Sequence, residues 1–207
     1  SALSLETRNA QRETLPMRLG ILGGTFNPIH LGHLLLAETA REALALDRVV
    51  FIPTAQPPHK RVRDLLPGPL RFELVQQAIR DQPAFVASDV ELQREVPSYS
   101  IDTVHILHRQ LPHAKLFLLI GEDVLAVRWM GWKALKRLCT IVVAHRPGSK
   151  GARREAGLKW LKMPQLDITS SDIRVRLRAG RSIRYLVPAA VARAIAQRGF
   201  YQRRATS

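Results

Sequence analysis

The chain has 207 residues, 46% apolar and 24% charged, the proportions of an ordinary globular domain rather than a disordered chain. No apolar run approaches the roughly 18 residues of a membrane span, and a single cysteine excludes an intrachain disulfide or a multi-cysteine zinc site. The net charge of +15 is uneven: residues 1–123 hold 13 Lys and Arg against 14 Asp and Glu, whereas residues 124–207 hold 19 against 3. So basic a half attracts polyanions, either nucleoside triphosphates or nucleic acid. An arginine-rich solvated face is the plainer alternative.

Residues 1–16 are polar and lack the apolar centre of a secretory signal, so they are expected to form an extension. With Cys139 inside an apolar run, a cytoplasmic protein without a membrane partner is expected. Met17–Leu22 is a buried strand running into Gly23-Gly24. From Leu31 to about Leu46, apolar residues recur at helical spacing (Leu34, Leu35, Ala37, Ala40, Ala43, Leu44). Arg48–Ile52 is a second strand, stopped by Pro53, and 54–68 is a proline-containing loop. A helix over 71–80, a strand over 84–88 and a helix over 101–110 follow. Lys115–Ile120 is a strand ending in Gly121-Glu122-Asp123, and Val124–Leu135 is expected to be helical. Leu138–Ala144 is a strand cut off at Arg146-Pro147-Gly148, and 149–163 is expected as a basic surface segment. Ser171–Ala179 and Pro188–Arg198 are helices.

Strands that are continuous apolar runs, alternating with helices, define an α/β fold. We expect a Rossmann-like, doubly wound, mostly parallel sheet with helices on both faces. It spans 17–207 as one domain with a small basic helical part from about 170. Ligands of such folds bind beyond the carboxyl ends of the strands. The first of those ends carries Gly-Gly-Thr-Phe-Asn-Pro-Ile-His-Leu-Gly-His, residues 23–33. Its glycines permit close backbone approach to a ligand. His30 and His33, three apart at a helix start, share one face beside unpaired amides that suit phosphate. Half a metal site or a helix cap is the alternative, but no second ligand cluster is evident, so no protein metal site is assigned. His105 and His108 repeat the spacing without a glycine turn, and a surface reading is preferred for them. Neither a Walker loop nor a G-x-G-x-x-G turn is present.

Gly23-Gly24-Thr25-Phe26 followed by His30-Leu31-Gly32-His33 resembles the signature of the HxGH nucleotidyltransferase superfamily. The superfamily usually has Asp where this chain has Asn27. Further segments occur in order: 51–60 (FIPTAQPPHK), 96–102, 119–123, 129–132 (WMGW), 142–148, 168–174 (ITSSDIR) and 185–191. Together they are similar to the bacterial nicotinate-nucleotide adenylyltransferase family over residues 17–201. The resemblance implies transfer of an adenylyl group from ATP, with Mg²⁺, to nicotinate mononucleotide, releasing pyrophosphate, in NAD biosynthesis. It implies Thr25, His30 and His33 as the catalytic contacts to the ATP phosphates. Gly23, Gly24, Phe26, Asp123, Ser170, Ser171, Ile173 and Arg174 are implied as further ATP-binding positions. Lys60, Ser100, Trp132 and Arg146 are implied on the nicotinate mononucleotide side. Lys133 stands where relatives often carry an aromatic.

Each has a bland alternative: Ser171 as an ordinary helix cap, or Trp129 and Trp132 as packing at helical spacing. Two competing functions remain open. One is a sibling nucleotidyltransferase of the pantetheine-phosphate adenylyltransferase kind. The other is a basic nucleic-acid-binding module, although no recognition signature for specific nucleic acid is evident. Homo-oligomerisation is left open.

Overall fold

The computed structural model describes residues 16–56, 64–94, 97, 99–125, 129–145, 155–164 and 166–202. In chain order the elements are β1 (Arg18–Gly24), α1 (Leu31–Ala43), β2 (Arg48–Pro53), α2 (Gly68–Ile79), β3 (Phe85–Ala87), α3 (Ser100–Gln110) and β4 (Lys115–Gly121). A 3₁₀ turn (Glu122–Val124), α4 (Trp132–Leu138), β5 (Thr140–Ala144), β6 (Lys159–Leu161), α5 (Ser170–Arg178) and α6 (Ala189–Arg198) complete it. The strands form one sheet in the order β3-β2-β1-β4-β5-β6, and every pairing is parallel.

The centres of the long strands are continuous apolar runs because both faces are covered. Alternate residues go to opposite cores. Val49, Phe51, Phe117 and Leu119 pack with Leu36 and Ala40 of α1, Leu74 and Val75 of α2, Ile173 of α5 and Ile195 of α6. Val50, Ile52, Leu118 and Ile120 pack with Val104 and Leu107 of α3 and Leu135 of α4. The order reverses between β1 and β4. This switch point opens a crevice at the carboxyl edge. The expected Rossmann-like α/β fold is the fold observed.

Some expectations fail locally. The helix expected over Val124–Leu135 is not continuous: the chain passes through Gly131 with φ +68, and α4 begins only at Trp132. The left-handed backbone favours glycine here, and a Cβ on Gly131 would press on Ile101 Cγ1 at 3.0 Å. The α4 helix then runs to Leu138, a residue expected in the next strand. Within the supposed surface segment, Lys159–Leu161 joins the sheet edge as β6 and buries Leu161. Helix α1 ends at Ala43, short of Leu46, with Ala45 left-handed at φ +46; Leu44 and Leu46 are buried nonetheless. Helix α2 starts at Gly68, three residues early, with Pro67 as N-cap and a proline in the first turn, where its missing N–H costs nothing. Among the described residues, no helix is long and apolar enough to cross a membrane.

Candidate active site

At the end of β1 the chain turns through Gly23–Ile29 into α1. Phe26 holds this turn: its backbone is left-handed at φ +46, a conformation that costs a non-glycine residue about 1–3 kcal/mol. Burial of its ring offsets that cost. The ring is 1% exposed and packs against Phe51 (centroids 6.0 Å apart) and edge-on to His33 (5.0 Å).

His30 is the N-cap of α1, in extended backbone, and is buried. The His30 backbone N–H donates to His33 Nδ1 at 3.3 Å. With Nδ1 accepting, a neutral His33 carries its proton on Nε2. The two imidazoles stack with centroids 3.7 Å apart and planes at 32°. Gly32 leaves room beside the pair: a Cβ there would stand 3.1 Å from two atoms of the His30 ring, a few tenths of an ångström too close. Not all the N-terminal amides of α1 face a ligand: Leu31 N–H donates to the Leu186 carbonyl at 3.0 Å.

Helix α5 docks on the same turn. Thr169, not Ser171, is its N-cap, accepting from the Asp172 amide at 3.1 Å. The Ser170 hydroxyl donates to the Pro28 carbonyl at 2.9 Å. Arg174, buried, donates to the Asn27 carbonyl at 2.8 Å and to Ser171 Oγ at 3.3 Å. Ile173 is fully buried in the core, so its side chain supports α5 from below. Ser171 is exposed at the helix start. Ser170 and Arg174 thereby join the start of α5 to the Asn27–Pro28 backbone just before His30, through hydrogen bonds between chain segments more than 140 residues apart.

On the other side of the switch point, Gly131 packs on Ile101, which brings the starts of α3 and α4 together. Ser100 and Trp132 are the first residues of these helices. Trp132 is partly exposed; its indole N–H donates to Glu155 Oε1 at 3.1 Å, and Lys136 Nζ reaches the same oxygen at 2.7 Å. These two donors hold the Glu155 carboxyl below its ordinary range, Lys136 first. Trp129 lies 5.4 Å from Trp132, between ring centroids, and spends its N–H on the Val124 carbonyl. Asp123 is exposed in the 3₁₀ turn after β4. Its neighbour Glu122 is buried and meets His145 Nδ1, just past β5, at 2.5 Å. Lys60 and Arg146 lie outside the described residues. His105 and His108 are both exposed on α3, as their plain context suggested.

Polar residues without a local signature complete the site. Arg71 of α2, 0% exposed, donates to three backbone carbonyls: Thr25 at 2.6 Å, Leu66 at 2.8 Å and Ala55 at 3.1 Å. Burial lowers its guanidinium from the usual value, and the Tyr201 phenol beside it works the other way. A trans peptide points its C=O and N–H in opposite directions, so the bond to the Thr25 carbonyl turns the Phe26 amide away from Arg71. Asn27, 1% exposed, accepts from the Tyr201 hydroxyl at 2.8 Å and the Leu66 amide at 3.1 Å, and donates to the Asp64 carbonyl at 3.1 Å. The Nδ2 donor is something a carboxylate at this position could not supply. Glu91, also buried, accepts from Thr103 Oγ1 at 2.7 Å, which in turn receives Arg94, bracing the start of α3.

The sheet is parallel and doubly wound, with paired imidazoles at its switch point, and the curated relatives place the chain among the nucleotidyltransferases. The Cytidylyltransferase-like family model matches residues 21–176. A Geotalea uraniireducens protein named "Probable nicotinate-nucleotide adenylyltransferase" is 42% identical, covering 89% of this chain and 98% of its own. A Thermus thermophilus protein of the same name is 40% identical, covering 90% and 100%. In fold, a Plasmodium falciparum nicotinic acid mononucleotide adenylyltransferase solved with NaAD superposes with a TM-score of 0.76 at 16% identity, covering 89% of this chain and 97% of that one. The chain belongs to the nicotinate-nucleotide adenylyltransferase family.

Proposed function

We propose that the chain joins Mg²⁺-ATP and nicotinate mononucleotide into nicotinate adenine dinucleotide. A 5′-phosphate oxygen of the mononucleotide attacks the α-phosphorus of ATP. The bond from that phosphorus to the bridging oxygen breaks, and pyrophosphate leaves. No covalent enzyme intermediate is required. Catalysis rests on holding two polyanions in line and stabilising charge as it develops.

The observation that carries this reading is the stacked His30–His33 pair, set at the carboxyl edge of β1 and capped by α5. In this proposal His33 Nε2 donates to the transferring phosphate, while Thr25, His30 and the Phe26 amide contact the triphosphate. Gly23 and Gly24 let the chain come close to it. Ser171, Ser170 and Arg174 complete the ATP side at the start of α5, with the Ile173 backbone beside them, and Asp123 faces the nucleotide from β4. The indole face of Trp132 suits the flat pyridine ring. Ser100 stands beside it, and Lys60 and Arg146 answer the acceptor phosphate. Mg²⁺ bound to the nucleotide would supply neutralisation of the triphosphate charge. The basic 124–207 half offsets repulsion between the two substrates. One domain from residue 17 and a cytoplasmic location belong to the same proposal.

Its test is turnover of the purified chain with Mg²⁺-ATP and a panel of acceptors: nicotinate mononucleotide, nicotinamide mononucleotide and pantetheine phosphate. The expected result is equimolar pyrophosphate and dinucleotide with the first as preferred acceptor. Absence of turnover with it rejects the proposal.

A further inference from the structure

We propose that Glu91 is a positioning residue for adenylyl transfer, one that fixes the start of α3, and with it Ser100, against the nucleotide turn. Its carboxyl touches neither substrate in the reading above, yet the residue is only 4% exposed. A buried carboxylate is destabilising unless hydrogen bonds repay its desolvation, and an apolar residue of similar size would fill the same space. What an apolar residue cannot do is answer hydroxyls from two separate segments of chain.

Those hydroxyls stand at the carboxyl edge of the sheet. Thr103, three residues into α3 from Ser100 and 2% exposed, donates from Oγ1 to Glu91 Oε1 at 2.7 Å. Arg94 Nη2 donates to the same hydroxyl at 3.0 Å, which commits the hydroxyl proton to the carboxylate. The Thr54 side chain meets Glu91 from the other side, just after β2. Thr54 N–H in turn donates to the carbonyl of Gly24 at 2.9 Å, where β1 ends and the turn toward His30 and His33 begins. Glu91 follows β3, and that segment is tied back to β2 by Ser88 N–H on the Phe51 carbonyl at 2.9 Å. A line of contacts therefore crosses the edge from β1 through Thr54 and Glu91 to α3. Burial pushes the Glu91 carboxyl up, while the Thr103 hydroxyl, the Arg94 charge and Thr54 pull it down. Ile101 packs on Gly131, one residue before Trp132, so movement of the start of α3 disturbs both Ser100 and Trp132. In-line transfer needs the attacking oxygen within about 3–3.5 Å of the reacting atom, and a shift of about 1 Å is costly in rate.

This rests on the reading of Ser100 as an acceptor contact, and the test separates the two claims. T103V removes the hydroxyl and T103S keeps it. T103V is expected to lower kcat by tenfold or more and raise the KM for nicotinate mononucleotide at least fivefold. Its Kd for a non-hydrolysable ATP analogue is expected to stay within threefold of the parent. T103S is expected to stay within twofold of the parent throughout. E91Q, with one accepting oxygen in place of two, should shift kcat and mononucleotide KM in the same direction as T103V. Unchanged values in both T103V and E91Q, a parallel collapse of ATP-analogue affinity, or a T103S as impaired as T103V would overturn the proposal. S100A serves as the second arm. Silence there beside an impaired T103V supports the positioning role and rejects only the Ser100 contact, whereas an impaired S100A beside silent T103V and E91Q overturns the positioning role. Should T103V and E91Q not fold, hydrogen exchange of the unaltered protein decides. Nicotinate mononucleotide alone is expected to slow exchange in peptides covering 88–94 and 100–106, and protection confined to other segments would overturn the coupling.

Discussion

The Ser170 hydroxyl donates to the Pro28 carbonyl at 2.9 Å, joining residues 142 apart in the chain. Together with Arg174 on the Asn27 carbonyl, it fuses the start of α5 to the turn that leads into α1. Two short sequence motifs thereby become neighbours in space. Helix α5 is held by backbone carbonyls of the turn, so the alignment does not depend on the side chains that the turn itself presents.

Replacing His33 by alanine is expected to lower kcat by about 10²–10³, the range for loss of one preorganised donor to a developing oxyanion. KM for both substrates should move only a few-fold. Steady-state kinetics checks this, and an unchanged maximal rate removes His33 from the mechanism.

Gly32→Ala separates the geometry of the histidine pair from its chemistry. Alanine improves a helix position by up to about 1 kcal/mol relative to glycine, but here its Cβ presses on the His30 ring. The two effects oppose each other, so the melting temperature should move by only a few degrees. Displacement of the stacked rings should lower kcat about tenfold. A stable variant with full activity shows that the stack is incidental.

Much of this was legible in the chain and some was not, for identifiable reasons. Strands β1, β2, β4 and β5 are unbroken apolar runs, and burial on both faces makes such runs conspicuous. The turn before α1 is legible because three glycines and two histidines fall within eleven residues, 23–33. Strand β6 is three residues long and stands in a basic stretch; only the exposed edge of β5 captures it. The break before α4 depends on Gly131 meeting Ile101, a contact between segments that local periodicity does not encode. Arg71 looks like any helix arginine until Thr25, 46 residues away, is placed beside it. Asn27 stands out as a departure from the usual aspartate, but its use as a donor to Asp64 follows only from the folded loop.

Trp132→Ala tests the acceptor side. The expected result is a mononucleotide KM raised about tenfold with ATP binding unchanged, corresponding to roughly 1.4 kcal/mol. Isothermal titration with each substrate checks it. Equal losses for both substrates would place Trp132 in the scaffold rather than in the ring pocket.

Cys139 makes an alkaline prediction. Burial pushes its thiol from 9.0 up to about 11, so folding favours the protonated form. The stabilisation is complete below about pH 9 and is lost as pH rises toward 11. Over that window the stability difference between the parent and C139A should narrow by roughly 2–3 kcal/mol, at about 1.4 kcal/mol per unit. Urea denaturation at several alkaline pH values reads the difference; a gap that does not change with pH contradicts the assignment.

The central claim is that the turn ending in His30 and His33 grips the triphosphate. A crystal structure with a non-hydrolysable ATP analogue bound tests it most directly. The account predicts phosphate oxygens within hydrogen-bonding distance of His33 and of the Thr25–Phe26 backbone, with the first turn of α5 closing over them. A triphosphate bound away from that turn, with His30 and His33 touching none of it, would contradict the account.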